Sequence, residues 1–184
     1  MRQIAADVSG SINEAHKLWG WYVALGIALI LLGVYALWAE TFATLASVVA
    51  LGVVLVIAGV AQLIGAFMAR GAGHVILLLL GGALEIIVGL MLLQHPVAGA
   101  LTITLLLAAV FVFGGVFRFI SALWLQFPHY GWVAASGAVS FILGVLLWMQ
   151  WPISAFWFIG FAVGLNFIFA GVAWASLGWK LKAA

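Results

Sequence analysis

The sequence predicts an all-α integral membrane protein: six transmembrane helices, arranged as three parallel two-helix repeats around a pseudo-threefold axis, with both termini cytoplasmic. Three observations lead there. The chain of 184 residues is 68% hydrophobic and 5% charged, with a mean hydropathy of +1.38. A water-soluble domain of this size could not hide so much apolar surface. Six stretches reach the roughly 20 apolar residues needed to cross a hydrocarbon core. Each stretch also carries a pair of small residues seven positions apart: Gly26/Gly33, Gly52/Gly59, Gly82/Gly89, Ala108/Gly115, Gly137/Gly144 and Gly164/Gly171. Gly26 to Gly82 is 56 residues, as are Gly59 to Gly115 and Gly115 to Gly171; Gly82 to Gly137 is 55, and one extra residue before Pro152 restores the register. Seven residues are two helical turns, so each pair lies on one face. In lipid, such a face lets two backbones approach closely.

Residues 1–17 form an amphipathic segment, with Ile4, Val8 and Ile12 on one helical face and Ser11-Ile12-Asn13-Glu14 as a capping box leading into the first span. Such a segment suits the inner membrane surface or a partner. Its charges, Asp7 and Glu14, and the lack of a small-residue cleavage site argue against a removable signal peptide. The six-helix membrane domain covers 18–178, with spans at about 18–38, 42–68, 74–94, 97–124, 132–150 and 153–178 and repeats at about 18–73, 74–131 and 132–178; a basic tail, 179–184, follows. Ala39-Glu40-Thr41, Gln94-His95-Pro96 and Gln150-Trp151-Pro152 close the three hairpins. Pro96 and Pro152 are expected in first-turn positions, where a missing N–H costs little. Arg70 to Gly73 and Phe127 to Gly131 are turn sequences between repeats.

Six spans put both termini on one side, together with Arg2, Lys17, Arg70, Lys180 and Lys182, while the opposite loops carry no Lys or Arg. The positive-inside rule makes that side cytoplasmic. Trp38, Trp148, Trp151 and Trp157 then mark the outer interface, and Trp19, Trp21, Trp124, Trp132 and Trp179 the inner one. Each repeat begins and ends inside, so the repeats are parallel and their axis lies along the membrane normal, unlike that of inverted repeats.

Two charges fall inside spans, Glu85 and Arg118, each costing roughly 2.5–3.5 kcal/mol at the bilayer centre on insertion scales. Their spans are joined in a hairpin and their backbones differ in depth by about 6 Å, within reach of an ion pair. In repeat register Arg118 aligns with Gln62 and Trp174, and Glu85 with Leu29 and Ser140. Asn166 is a further intramembrane polar residue, and Gly160-Phe161-Ala162-Val163-Gly164 is a GxxxG that can pack inside the bundle or against a second copy. Ser47, Thr102, Thr104, Ser121, Ser136, Ser140 and Ser176 can bond to their own helix backbone.

The remaining composition excludes function classes. There is no Cys, hence no disulfide framework or thiolate chemistry. His16, His74, His95 and His129 do not converge, which argues against a metal site. A net charge of +2 is too small for nucleic acid. No phosphate loop, HExxH, GxSxG or carboxylate pair is present, so neither catalytic residues nor a cofactor are expected and the protein reads as a non-enzyme.

The recurring unit is G-x6-G, a short turn often with Pro, then a small residue, x6 and Gly-Val-x-Arg/Gln. It is carried by Gly82 to Gly89, Pro96 and Gly115-Val116-Phe117-Arg118, with Gly59-Val60-Ala61-Gln62 and Gly171-Val172-Ala173-Trp174 repeating its close. Over residues 18–178 this pattern resembles the HdeD family of bacterial inner-membrane proteins. The resemblance implies a multi-pass inner-membrane protein associated with acid resistance, and it brings no catalytic or ligand residues. Arg118 stands where that family often has Arg; Glu85 is less typical of it. The expected function is association: an accessory or scaffold component in envelope or acid-stress tolerance, with the lipid bilayer and another membrane protein or a second copy as partners. A small proton-linked channel or transporter using Glu85 and Arg118 is the alternative, and lipid or quinone binding between repeats a further one.

Overall fold

The computed structural model describes residues 19–69, 71–125 and 130–183. The amphipathic segment 1–17, Arg70, His129 and most of the Phe127–Gly131 turn lie outside the described residues, so the expectations attached to them have no structural counterpart here. Six helices follow in order: α1 (Trp19–Trp38), α2 (Glu40–Met68), α3 (Ala72–Gln94), α4 (Pro96–Leu125), α5 (Tyr130–Met149) and α6 (Ser154–Ala183). All six are long and apolar enough to cross a membrane.

The helix ends follow local chemistry. Glu40 opens α2, where a carboxylate meets the positive end of the helix dipole. Pro96 opens α4, as expected of a residue without an N–H. Gly71, with φ of 100°, sits before α3 in a conformation that a side chain would strain. Two expectations change. Pro152 is not in the first turn of α6: it lies in a turn over 150–153, after a cis peptide from Trp151. This connection takes four residues where the first two hairpins take one each, Ala39 and His95, and the extra residue of the third repeat falls here. Ser154 closes the turn by donating from Oγ to the Leu147 carbonyl at 2.9 Å. The basic residues assigned to a tail belong instead to α6, which runs on to Ala183. No breaker follows Gly178, and Lys180 and Lys182 complement the negative end of the helix dipole.

The described residues form two compact units, 19–43 with 160–183, and those within 44–159. In the second unit α2 packs antiparallel on α3 through the paired small residues. A Cβ built on Gly59 would meet the Gly82 carbonyl oxygen at 2.6 Å, and one on Gly82 would meet that of Gly59 at 2.8 Å; Gly52 and Gly89 oppose each other in the same way at 3.0 and 2.8 Å. The α4–α5 seam repeats this, with Gly115 against Gly137 at 2.7 and 2.8 Å and Gly144 against the Ala108 carbonyl at 2.8 Å. In the first unit α6 packs on α1: Gly26 and Gly171 oppose at 2.6 Å in both directions, and Gly33 and Gly164 at 2.7 and 3.0 Å. The glycines thus bring backbone against backbone. Each seam joins the second helix of one repeat to the first helix of another, not the two helices of one hairpin. Gly164 of the GxxxG is used within the chain, against α1.

The interior is built from small residues. The largest fully buried side chains are Val48, Thr44, Thr104 and Ser154, and Val48, Leu92 and Ala100 form a core cluster with Leu55, Ile103 and Ile159 packed against it. Large apolar side chains point outward, among them Trp38, Phe67 and Trp124, each more than 80% exposed. A water-soluble fold places these types inside. Here backbones approach closely at the seams, and the outward apolar surface suits a lipid environment.

Candidate functional site

A side chain–side chain hydrogen bond joins α2 to α3. Gln62 Nε2 donates to Glu85 Oε1 at 2.6 Å. The local sequence explains the meeting. Gln62 stands three residues after the seam glycine Gly59, and Glu85 three after Gly82. Residues three apart share a helix flank, and the two glycines oppose each other, so both polar residues flank the same contact. Gly81 makes room: a Cβ there would meet Gln62 Oε1 at 2.9 Å. The second carboxyl oxygen, Glu85 Oε2, is buried with no hydrogen-bond partner.

The hairpin geometry had suggested an ion pair between Glu85 and Arg118. Among the described residues that pair does not form. Arg118 is exposed on α4, and its Cβ borders Gly137 on the α4–α5 seam. The reason is which face is buried: the glycine face of α3 is turned to α2, and that of α4 to α5. Residue 118 is the equivalent of Gln62 in its own seam, and the equivalent of Glu85 there is Ser140. In the α1–α6 seam the Gln62 position is Trp174, which stacks on Tyr22 with ring centroids 5.6 Å apart and planes 7° from parallel. Three equivalent positions thus carry three different contacts. The shared offset of Gln62 and Glu85 from their seam glycines is a signal legible in the sequence; it becomes decisive only once it is known which seams pair.

The other polar residues are dispersed. Asn166 is exposed on α6. Thr102, Ser136 and Ser176 each bond a carbonyl of their own helix, at 2.8–2.9 Å. Thr104 is fully buried and its Oγ1 has no partner. Lys182 lies over the Trp19 ring, 4.8 Å from its centroid, tying the end of α6 to the start of α1. Among the described residues no three His, Asp or Glu gather in a metal-binding group. Two of the grooves along the described residues lie in the second unit. One of about 360 Å³, between α4 and α5, is lined by Gly115, Val116, Phe119, Ile120, Ala138, Phe141 and Ile142. The other, of about 410 Å³ and bordered by α2, α3 and α4, includes His95 and Thr102 in an otherwise apolar wall.

No curated protein and no solved structure matches the chain. A family described as a short repeat of unknown function (DUF308) matches twice, over residues 24–94 and 80–149. The two matches begin 56 residues apart, which is the glycine period, and each spans three helices, so that each contains a complete inter-repeat seam: α2–α3 in the first, α4–α5 in the second. HdeD-like proteins belong to this repeat family. The matches run over more than half of the described helices, and the chain is a member of the DUF308 short-repeat family, with six apolar helices able to span a membrane.

Proposed function

We propose that this protein is an HdeD-like, multi-pass protein of the bacterial inner membrane that works by association, as a non-enzymatic scaffold or accessory component in envelope or acid-stress tolerance. The observation that carries the reading is the inversion of the fold. Glycines close the seams backbone on backbone, and the large apolar side chains face outward, where lipid or another membrane helix would meet them. Membership in a family that includes HdeD-like proteins supports the stress context. The 56-residue period supports three parallel repeats about a threefold axis along the membrane normal, and the placement of Arg2, Lys17, Lys180 and Lys182 supports cytoplasmic termini. The dispersal of Glu85, Arg118 and Asn166 weighs against a shared polar pathway as the main activity.

The test is extraction of the native protein into lipid nanodiscs without detergent, followed by measurement of the mass and composition of the particles. A discrete assembly, with a second membrane protein or of fixed copy number, is expected. Monomers throughout, over a range of expression levels, would overturn the association reading.

A further inference from the structure

We propose that the Glu85–Gln62 pair is a proton-binding site within the membrane, Glu85 being present there as the neutral carboxyl. Three observations converge on it. Glu85 lies thirteenth of the 22 residues of its span, Gly73–Gln94, far from either end. Its Oε1 accepts from the Gln62 amide at 2.6 Å, which holds the carboxyl in place without supplying a counter-charge. Its Oε2 is buried with no acceptor or donor facing it among the described residues. An ionised carboxylate in that position leaves a full charge half-satisfied in a low-dielectric medium, and a proton on Oε2 removes the charge.

Among the described residues the carboxyl makes no ion pair. From α2 its hydrogen-bond partner is the neutral amide of Gln62. The other titratable residue of α3, His74, is eleven positions away, and Glu40 opens α2 at its far end. The nearest cation along the chain within a span, Arg118, is exposed on α4 and makes no ion pair among the described residues. Gln62 holds the carboxyl in place without neutralising it, and Gly81 gives the amide its room. The site is separate from the association reading, and neither depends on the other.

Two measurements test it on the full-length protein in native membranes. The first uses dicyclohexylcarbodiimide, an apolar reagent that reacts with neutral carboxyls. The carboxyl proton passes to one reagent nitrogen, the oxygen adds to the central carbon, and the adduct rearranges to an N-acylurea with no atom lost. Peptide mass analysis should place one intact reagent on Glu85, with none in Glu85→Gln and no protection by a water-soluble carbodiimide. An unmodified Glu85 in folded protein, while the unfolded chain reacts in acid, overturns the proposal. The second is infrared difference spectroscopy. A carboxyl C=O band is expected that disappears in Glu85→Gln and moves to higher frequency in Gln62→Leu, because the carbonyl then loses its donor. Carboxylate bands in its place would mean an ionised Glu85 and would overturn the proposal; the Gln62→Leu shift decides the matter even where Glu85→Gln fails to fold.

Discussion

Replacing Gly59 with alanine puts the backbone-on-backbone seam to a quantitative test. The new Cβ would lie 2.6 Å from the Gly82 carbonyl oxygen, 2.7 Å from Ile86 Cγ1 and 3.0 Å from the Ile86 nitrogen. Two of these three atoms are backbone, so no rotamer change relieves the clash. Ordinary contact begins at 3.4 Å, so α3 must withdraw by 0.8 Å at this point, 3.4 less 2.6. A gap of that size forfeits about a quarter to a half of each neighbouring dispersion contact, and overpacking of this kind costs about 1–3 kcal/mol. The control is on the same helix. Gly65 has nothing within 4 Å of its hypothetical Cβ, so Gly65→Ala carries the same gain in helix propensity, about 1 kcal/mol at most, without the clash. The difference between the two variants therefore isolates the seam. Reversible unfolding in lipid or mild detergent should find Gly59→Ala about 1–3 kcal/mol less stable than Gly65→Ala. Equal stabilities would refute the close packing of α2 on α3. The same contrast is available across the α4–α5 seam, with Gly115→Ala against Gly114→Ala, whose Cβ also meets nothing within 4 Å.

Other perturbations have expected outcomes of their own. A double-mutant cycle on Gln62→Leu and Glu85→Leu should give a coupling of about 0.6–1.7 kcal/mol, the range for interhelical hydrogen bonds in membranes, whereas a Glu85–Arg118 cycle should be additive to within about 0.5 kcal/mol; the reverse pattern would restore the hairpin ion pair. Thr104→Val removes a buried hydroxyl that has no partner, at the position where the preceding repeat already has Val48, so unfolding measurements should show unchanged or increased stability. Ser154→Ala removes the donor to a buried carbonyl and should destabilise by about 1–3 kcal/mol, and a neutral result would count against the 150–153 turn. Trp19→Leu removes the ring beneath Lys182 and should lose about 0.5–1 kcal/mol, an effect that Lys182→Gln should reproduce by the same assay.

What the amino-acid order determined by itself is local and additive. Apolar length sets the six spans, because any run of about 20 such residues satisfies its own backbone in lipid. The 56-residue glycine period set the repeat, and the DUF308 matches at 24–94 and 80–149 step by the same interval. Spacing of seven also showed that every helix has one face cut for close approach. The tertiary structure alone decided which of these faces meet. All six are nearly alike, so any one is complementary to any other, and neither composition nor periodicity distinguishes a partner. Connectivity favoured α3 with α4, and with it Glu85 with Arg118. The glycine faces instead close α2 on α3, α4 on α5 and α6 on α1. A residue three positions past a seam glycine is then delivered to the neighbouring repeat, so the carboxyl of Glu85 meets the amide of Gln62. The partner of a carboxyl within an apolar helix is a property of helix pairing, and pairing among self-complementary faces is settled only by packing in three dimensions.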